Sequence, residues 1–298
     1  MADGPVLFLD SGIGGLPYVE AVRRYVPHAQ LIYVADTAHF PYGERDGDEI
    51  RRIMVELVEA AVESFAPQLI VVACNTATVV ALETLRRRFD VPFVGVVPAV
   101  KPAALSAAGG TITVLSTART ADAEYLARLI ESFAGNTEVR IVAAGDLVSF
   151  VEHRFAETTA DERHQAVSEI LGRAGADWEQ TESVVLGCTH FTHLAGEIQQ
   201  VLGPAIEVVD SREGVARRVG ELLSPAGGGL GPAVAADAPA PTVAADESGA
   251  SVAVRPRGDE FWLTDETAGG EAGRKRYRTL AARYGLSYNG LYSWTHTH

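Results

Sequence analysis

Short apolar runs rich in β-branched residues recur along the chain, alternating with stretches where apolar residues return every three or four positions. The runs at 6–9, 31–34, 69–73, 93–96, 111–115, 139–142 and 183–186 predict strands. Helical patterns between them imply βαβ units and mainly parallel sheets. One helix is plain: Thr120 reads as its N-cap, and Leu126, Leu129, Ile130 and Phe133 form a stripe expected to lie on a sheet.

The pattern is also duplicated. VLFLDSGIGGLPYVEAV and ITVLSTARTADAEYLARLI share a layout of strand, small polar turn and helix, and LIVVACNTATVVALETL and SVVLGCTHFTHLAGEI match in the same way. Two facing copies predict two pseudo-symmetric α/β domains with mainly parallel sheets and an active site in the interdomain cleft. The first domain is expected to span 1–97 and to be completed by 209–298, with the second at 98–208. Asp210 and Glu213 suggest a capping box where the chain returns. Residues 225–250, rich in Ala, Gly and Pro, read as a flexible insertion. VAVRPRGDEFWLT reads as a small hairpin and KRYRTLAARYGL as the last helix.

Composition narrows the function classes. A chain of 298 residues, 47% of them apolar, is long enough to bury a substantial core in two domains. A formal net charge of -14 without a clustered basic face argues against nucleic acid. The N-terminus lacks a basic n-region and a long apolar run, so no membrane partner is expected and the cytoplasm is the default location. In that compartment the two cysteines are expected to stay reduced.

Those two cysteines carry the candidate chemistry. Cys74 and Cys188 each follow an apolar run and precede a small polar turn, where unpaired N–H groups at a helix start favour a thiolate. A free cysteine is often an inert core residue, but the matching contexts point to an acid and base on one substrate. Asp10 and His190 are available as proton-handling partners, or as hydrogen-bonded structural groups. Gly12, Gly14 and Gly15 suit a tight turn that exposes Asp10 and Ser11, and Pro17 spoils a phosphate-loop reading. Cys188, His190 and His193 have no further ligand at a recognised spacing, so no metal is expected.

Four motifs in order, DSGIGGL, ADTAHFPYG at 35–43, ACNTA at 73–77 and LGCTH at 186–190, resemble those of the cofactor-independent glutamate racemases. The resemblance implies an amino-acid racemase that interconverts L- and D-glutamate without a cofactor and supplies D-glutamate for peptidoglycan, working as a homodimer. It implies that Cys74 and Cys188 are the catalytic acid/bases, assisted by Asp10, His190 and Glu152. The substrate site would include Asp10, Ser11, Pro41, Tyr42, Gly43, Cys74, Asn75, Thr76, Thr117, Thr120, Cys188, Thr189 and His190. The chain departs from the family pattern at His39, where Arg is common, and at Phe191, Thr192 and His193, which replace the usual Tyr-Pro-Leu.

Overall fold

The structure, a computed structural model, describes residues 4–107, 109–117, 124–224, 258–265 and 270–293. Thr120 and the 225–250 segment lie outside them. Among the described residues ten strands form two sheets, and every pairing is parallel. Strands β1 (Val6–Asp10), β2 (Leu31–Ala35), β3 (Leu69–Val72) and β4 (Phe93–Gly95) belong to the first sheet, with β9 (Glu260–Leu263) and β10 (Ser287–Leu291). Its order is β10-β9-β2-β1-β3-β4. The second sheet holds β5 (Thr111–Ser116), β6 (Glu138–Ala143), β7 (Ser183–Leu186) and β8 (Glu207–Val209), in the order β6-β5-β7-β8. Matching β1–β4 to β5–β8 gives one order twice, which is the duplication read in the sequence.

In each copy the order reverses beside the first strand, so the carboxyl ends of β1 and β3, and of β5 and β7, flank a crevice of the kind where α/β sheets bind ligands. Asp10 ends β1, and Cys74 follows β3 as the N-cap of helix Asn75–Arg88. Ser116 ends β5, and Cys188 follows β7 as the N-cap of the 3₁₀ turn Thr189–Leu194.

Period-two alternation sorts the strand residues between cores. Phe8, Tyr33 and Val71 of the first sheet share one apolar cluster with Leu115, Val184 and Leu186 of the second, which ties the two halves together. The opposite face of the first sheet sets Leu7, Leu9, Ile70 and Val72 against helix Gly47–Phe65. The opposite face of the second sets Ile112, Val114 and Val185 against Leu126, Leu129 and Ile130 of helix Glu124–Phe133. Phe133, expected in that stripe, is 44% exposed instead. It is the last helical residue, past the sheet's cover, and the Lys101 ammonium sits 5.5 Å from its ring centre.

Two other expectations are corrected. The described part of the supposed hairpin, β9, lies between β2 and β10 and is parallel to both, so neither edge is open to an antiparallel partner. Strands β8 and β10 carry weak signals: β8 has three residues, and β10 reads SYNGL, whose Asn-Gly pair looks like a turn. Asp210 and Glu213 form no capping box. Asp210 accepts from the Arg212 N–H and pairs with its guanidinium, while Glu213 takes the Tyr25 hydroxyl and the Arg24 guanidinium.

Candidate active site

The loop from Asp10 to Gly15 is the point where the halves interlock. Asp10 is buried; its Oδ1 accepts the Ser11 N–H at 2.7 Å and its Oδ2 the Gly15 N–H at 2.6 Å. The Tyr33 hydroxyl lies 3.1 Å from Asp10 Oδ2 and 2.9 Å from the Gly12 carbonyl oxygen. Desolvation raises the Asp10 pKa to about 6, against the opposing pull of His190 and the Gly15 N–H. Asp10 and Ser11 are therefore buried hydrogen-bonding groups rather than exposed ones. Nor do the glycines serve a left-handed turn, because none of Gly12, Gly14 and Gly15 has a positive φ. They serve close approach: a Cβ on Gly12 would overlap the Glu152 carboxylate, and one on Gly14 would lie 2.5 Å from Thr189 Oγ1 and 2.6 Å from His190 Nδ1.

Glu152, on helix Asp146–His153, and His190, on the 3₁₀ turn, meet that loop from the other half. Glu152 Oε1 accepts the Ile13 N–H at 2.8 Å and sits 2.7 Å from His190 Nε2. His190 Nδ1 is 3.7 Å from Cys188 Sγ, so one imidazole links the buried carboxylate to the thiol. Burial opposes a charge on His190, but hydrogen bonds to Cys188 and Glu152 outweigh it and hold the pKa well above the usual imidazole value. Cys188 itself is half-buried.

Cys74 is buried under different conditions. Desolvation, then the negative charge of Asp10, pushes its pKa well above the ordinary thiol value, while N–H groups of Ala77 and Thr76 at the helix start oppose this. Cys188 also raises the Cys74 pKa by its charge, which places the two thiols within electrostatic reach of each other across the cleft. Asn75 is buried beside Cys74, and its Oδ1 has no hydrogen-bond partner among the described residues; the same holds for Ser116 Oγ at the end of β5.

The turn at Pro41, Tyr42 and Gly43 closes the cleft from the first half. The Tyr42 hydroxyl donates to buried Asp36 Oδ2 at 2.6 Å, and both Cys74 and Asp10 act on it electrostatically. A Cβ on Gly43 would reach 3.9 Å from Thr117 Oγ1, and the Phe40 ring centre lies 6.2 Å from that of His190. His39 pairs with Asp36 at 2.9 Å. Every candidate site residue except Thr120, which lies outside the described residues, and Glu152, which reaches in from helix Asp146–His153, thus falls at these strand ends or the turns that face them. Sequence reasoning missed Tyr33, Asp36, Phe40 and Ser116. Ser116 was accessible by analogy, since it ends β5 as Asp10 ends β1; Asp36 and Phe40 lie inside the ADTAHFPYG motif, and Tyr33 acts through a tertiary neighbour with no local motif. His193 lies beside this cluster, but its ring nitrogens face the Ile13 carbonyl and the Tyr284 hydroxyl rather than Cys188.

Two facing parallel α/β units, each ending its third strand in a cysteine that caps a helical turn, define a class of cleft proteins with paired thiols. The Asp/Glu/hydantoin racemase family model matches residues 17–218, and the chain belongs to that family. It is 39% identical to a glutamate racemase of Shewanella denitrificans over 75% of this chain and 79% of the relative. It is 37% identical to a glutamate racemase of Brucella canis over 74% of this chain and 79% of the relative. Among solved structures, the Escherichia coli glutamate racemase, in complex with L-glutamate and the activator UDP-MurNAc-Ala, aligns with a TM-score of 0.78 and 31% identity. That alignment covers 97% of this chain and 98% of the other. No helix among the described residues is long and apolar enough to cross a membrane.

Proposed function

We propose that this racemase interconverts L- and D-glutamate by passing the α-proton between two thiols, with no cofactor. The observation that carries the reading is the placement of Cys74 and Cys188 at matching strand ends on either side of one cleft, each with its own proton-handling partner. The names of the relatives, glutamate racemases at 37–40% identity, support the substrate.

The two thiols sit in different surroundings. Cys74 keeps its proton, because burial and Asp10 disfavour a thiolate there. Next to Cys188, a protonated His190 is the partner that a thiolate needs, and Glu152 keeps it charged. For one enantiomer the Cys188 thiolate takes the α-proton, and the Cys74 thiol delivers a proton to the opposite face. For the other enantiomer the roles reverse, with Asp10 beside Cys74. The carbanionic charge in between falls on the substrate α-carboxylate, where N–H groups at helix starts and the side chains of Ser11, Thr76, Thr117 and Thr189 are placed to stabilise it. The unpartnered Asn75 Oδ1 is an acceptor suited to the ammonium group. We read residues 1–97 with 209–298, and 98–208, as the two domains whose closure excludes water. The product D-glutamate would supply peptidoglycan synthesis.

The test is α-hydrogen exchange of L-glutamate in deuterated water with chiral analysis, and no cofactor added. The wild type gives deuterated D-glutamate, and Cys74→Ser and Cys188→Ser each lose racemisation by on the order of 10²-fold or more. A folded wild type that exchanges aspartate or another dicarboxylic substrate but not glutamate rejects the substrate. Full racemisation in either serine variant rejects the two-thiol route.

A further inference from the structure

His193 is buried, and both of its ring nitrogens are engaged. Nε2 lies 2.8 Å from the Ile13 carbonyl oxygen, which only accepts, so Nε2 carries the proton. Nδ1 is then the lone-pair nitrogen, and it receives the Tyr284 hydroxyl at 2.8 Å. The ring stands edge-on between Phe155, at 5.2 Å between centroids, and Tyr284, at 5.5 Å. Desolvation lowers its pKa to about 3, so the ring is neutral around pH 7 and the tautomer is fixed by its two partners.

The residue that His193 grips is the one that serves the thiol. Ile13 offers its carbonyl to His193 and its N–H to Glu152 Oε1; Glu152 holds His190, and His190 meets Cys188. His190 and His193 project from one 3₁₀ turn, so both ends of that turn hold the same loop. The loop has no slack, because Gly14 already lies against Thr189 and His190. Tyr284, just past helix Gly270–Arg283, thereby joins the C-terminal segment to the Cys188 side. Cys74 is outside this chain of contacts.

We propose that His193, with its tautomer set by the Ile13 carbonyl and its ring held by the Tyr284 hydroxyl, is a positioning residue for the Cys188 acid/base: it clamps Ile13 so that Glu152 and His190 stay aligned on that thiol. The role in turnover rests on the two-thiol reading above. The groups that bear on His193 are His190, Arg283 and Arg212, besides Tyr284. Those that bear on Cys188 are His190, Cys74 and Tyr18.

The test measures thiol reactivity without substrate, so it stands apart from the choice of glutamate. With two cysteines in the chain, Cys74→Ser leaves Cys188 alone, and Cys188→Ser leaves Cys74 alone. The pH dependence of iodoacetamide alkylation is recorded for each single-cysteine protein, with and without Tyr284→Phe or His193→Leu. The Cys188 midpoint rises by about half a pH unit or more when either clamp residue is changed, and the Cys74 midpoint stays in place. In the two-cysteine protein kcat falls by about threefold to tenfold, and the double variant is no worse than the worse single one, as expected of groups acting in series. His193→Gln, which keeps an N–H donor, recovers part of the shift. Tyr284→Phe keeps the packing, so it reads the hydrogen bond even if His193→Leu fails to fold. An unchanged Cys188 midpoint in folded Tyr284→Phe, or equal shifts at both cysteines, overturns the proposal. A normal Cys188 shift in a protein that does not racemise glutamate would reject the substrate and keep the clamp.

Discussion

At the scale of single residues, the buried groups of the site are held in opposite electrostatic conditions. Burial raises Asp10 to about 6, so the folded state gains stability as pH falls from about 6 toward 4, and its ionised form costs about 3 kcal/mol at neutral pH. His193 has the reverse sign. Its folded pKa of about 3 lies below the ordinary 6.5, so the stability of the neutral ring is complete above about 6.5 and is lost as pH falls toward 3. His193→Leu removes that loss. Urea unfolding at pH 6.5 and pH 4 should show the variant losing about 3 kcal/mol less than the wild type across that interval. Identical losses in the two proteins would mean that the ring is not buried in neutral form.

At the scale of elements, the glycine loop after β1 decides how closely the halves approach. The Gly12 position faces the Glu152 carboxylate with no room for a methyl group, so a side chain there must displace the end of Glu152. Gly12→Ala should therefore push Glu152 off the Ile13 N–H and lower kcat by about tenfold to a hundredfold. Stability should fall by only about 1 to 3 kcal/mol, because the lost contact is one overpacked site in a large core. Steady-state kinetics beside thermal melts would separate these effects, and a wild-type kcat in the alanine variant would show that the loop has slack. The sequence made these glycines and their tight turn visible but not the close approach of Glu152, Thr189 and His190, since turn chemistry is local and close approach is not.

At the scale of the whole molecule, the C-terminal segment completes the first sheet from more than 200 positions away. Strand β9 pairs with β2, and Phe261 stacks on Tyr33 with ring centres 5.5 Å apart, behind the hydroxyl that reaches Asp10. Arg23 fastens the same segment through Asp259 at 2.8 Å and the Tyr284 carbonyl oxygen at 3.1 Å. Phe261→Ala should cost about 3 to 5 kcal/mol by cavity formation, read as a lower midpoint of denaturant unfolding. Tyr33 should also lose its fixed position, so kcat should drop in the fraction that remains folded. A folded variant with normal kcat would show that β9 supports the fold without supporting Asp10.

The sequence by itself determined strands β1 to β7, the doubled layout and the two thiols at strand ends, because these follow from local periodicity and from residue types placed just past apolar runs. It also brought Asp10, Asn75, Thr76, Thr189 and His190 to the site, since each adjoins a strand end in the chain. Tertiary structure alone decided which groups serve which thiol. Glu152 reaches His190 across 38 positions, and His193 reaches Ile13 across 180. The first pairing depends on how a helix docks beside a strand end of the second sheet, the second on how the two sheets pack together, and no period or spacing encodes either. For the same reason β8 and β10 were invisible: short edge strands with weak patterns exist only because a neighbouring strand offers them hydrogen bonds.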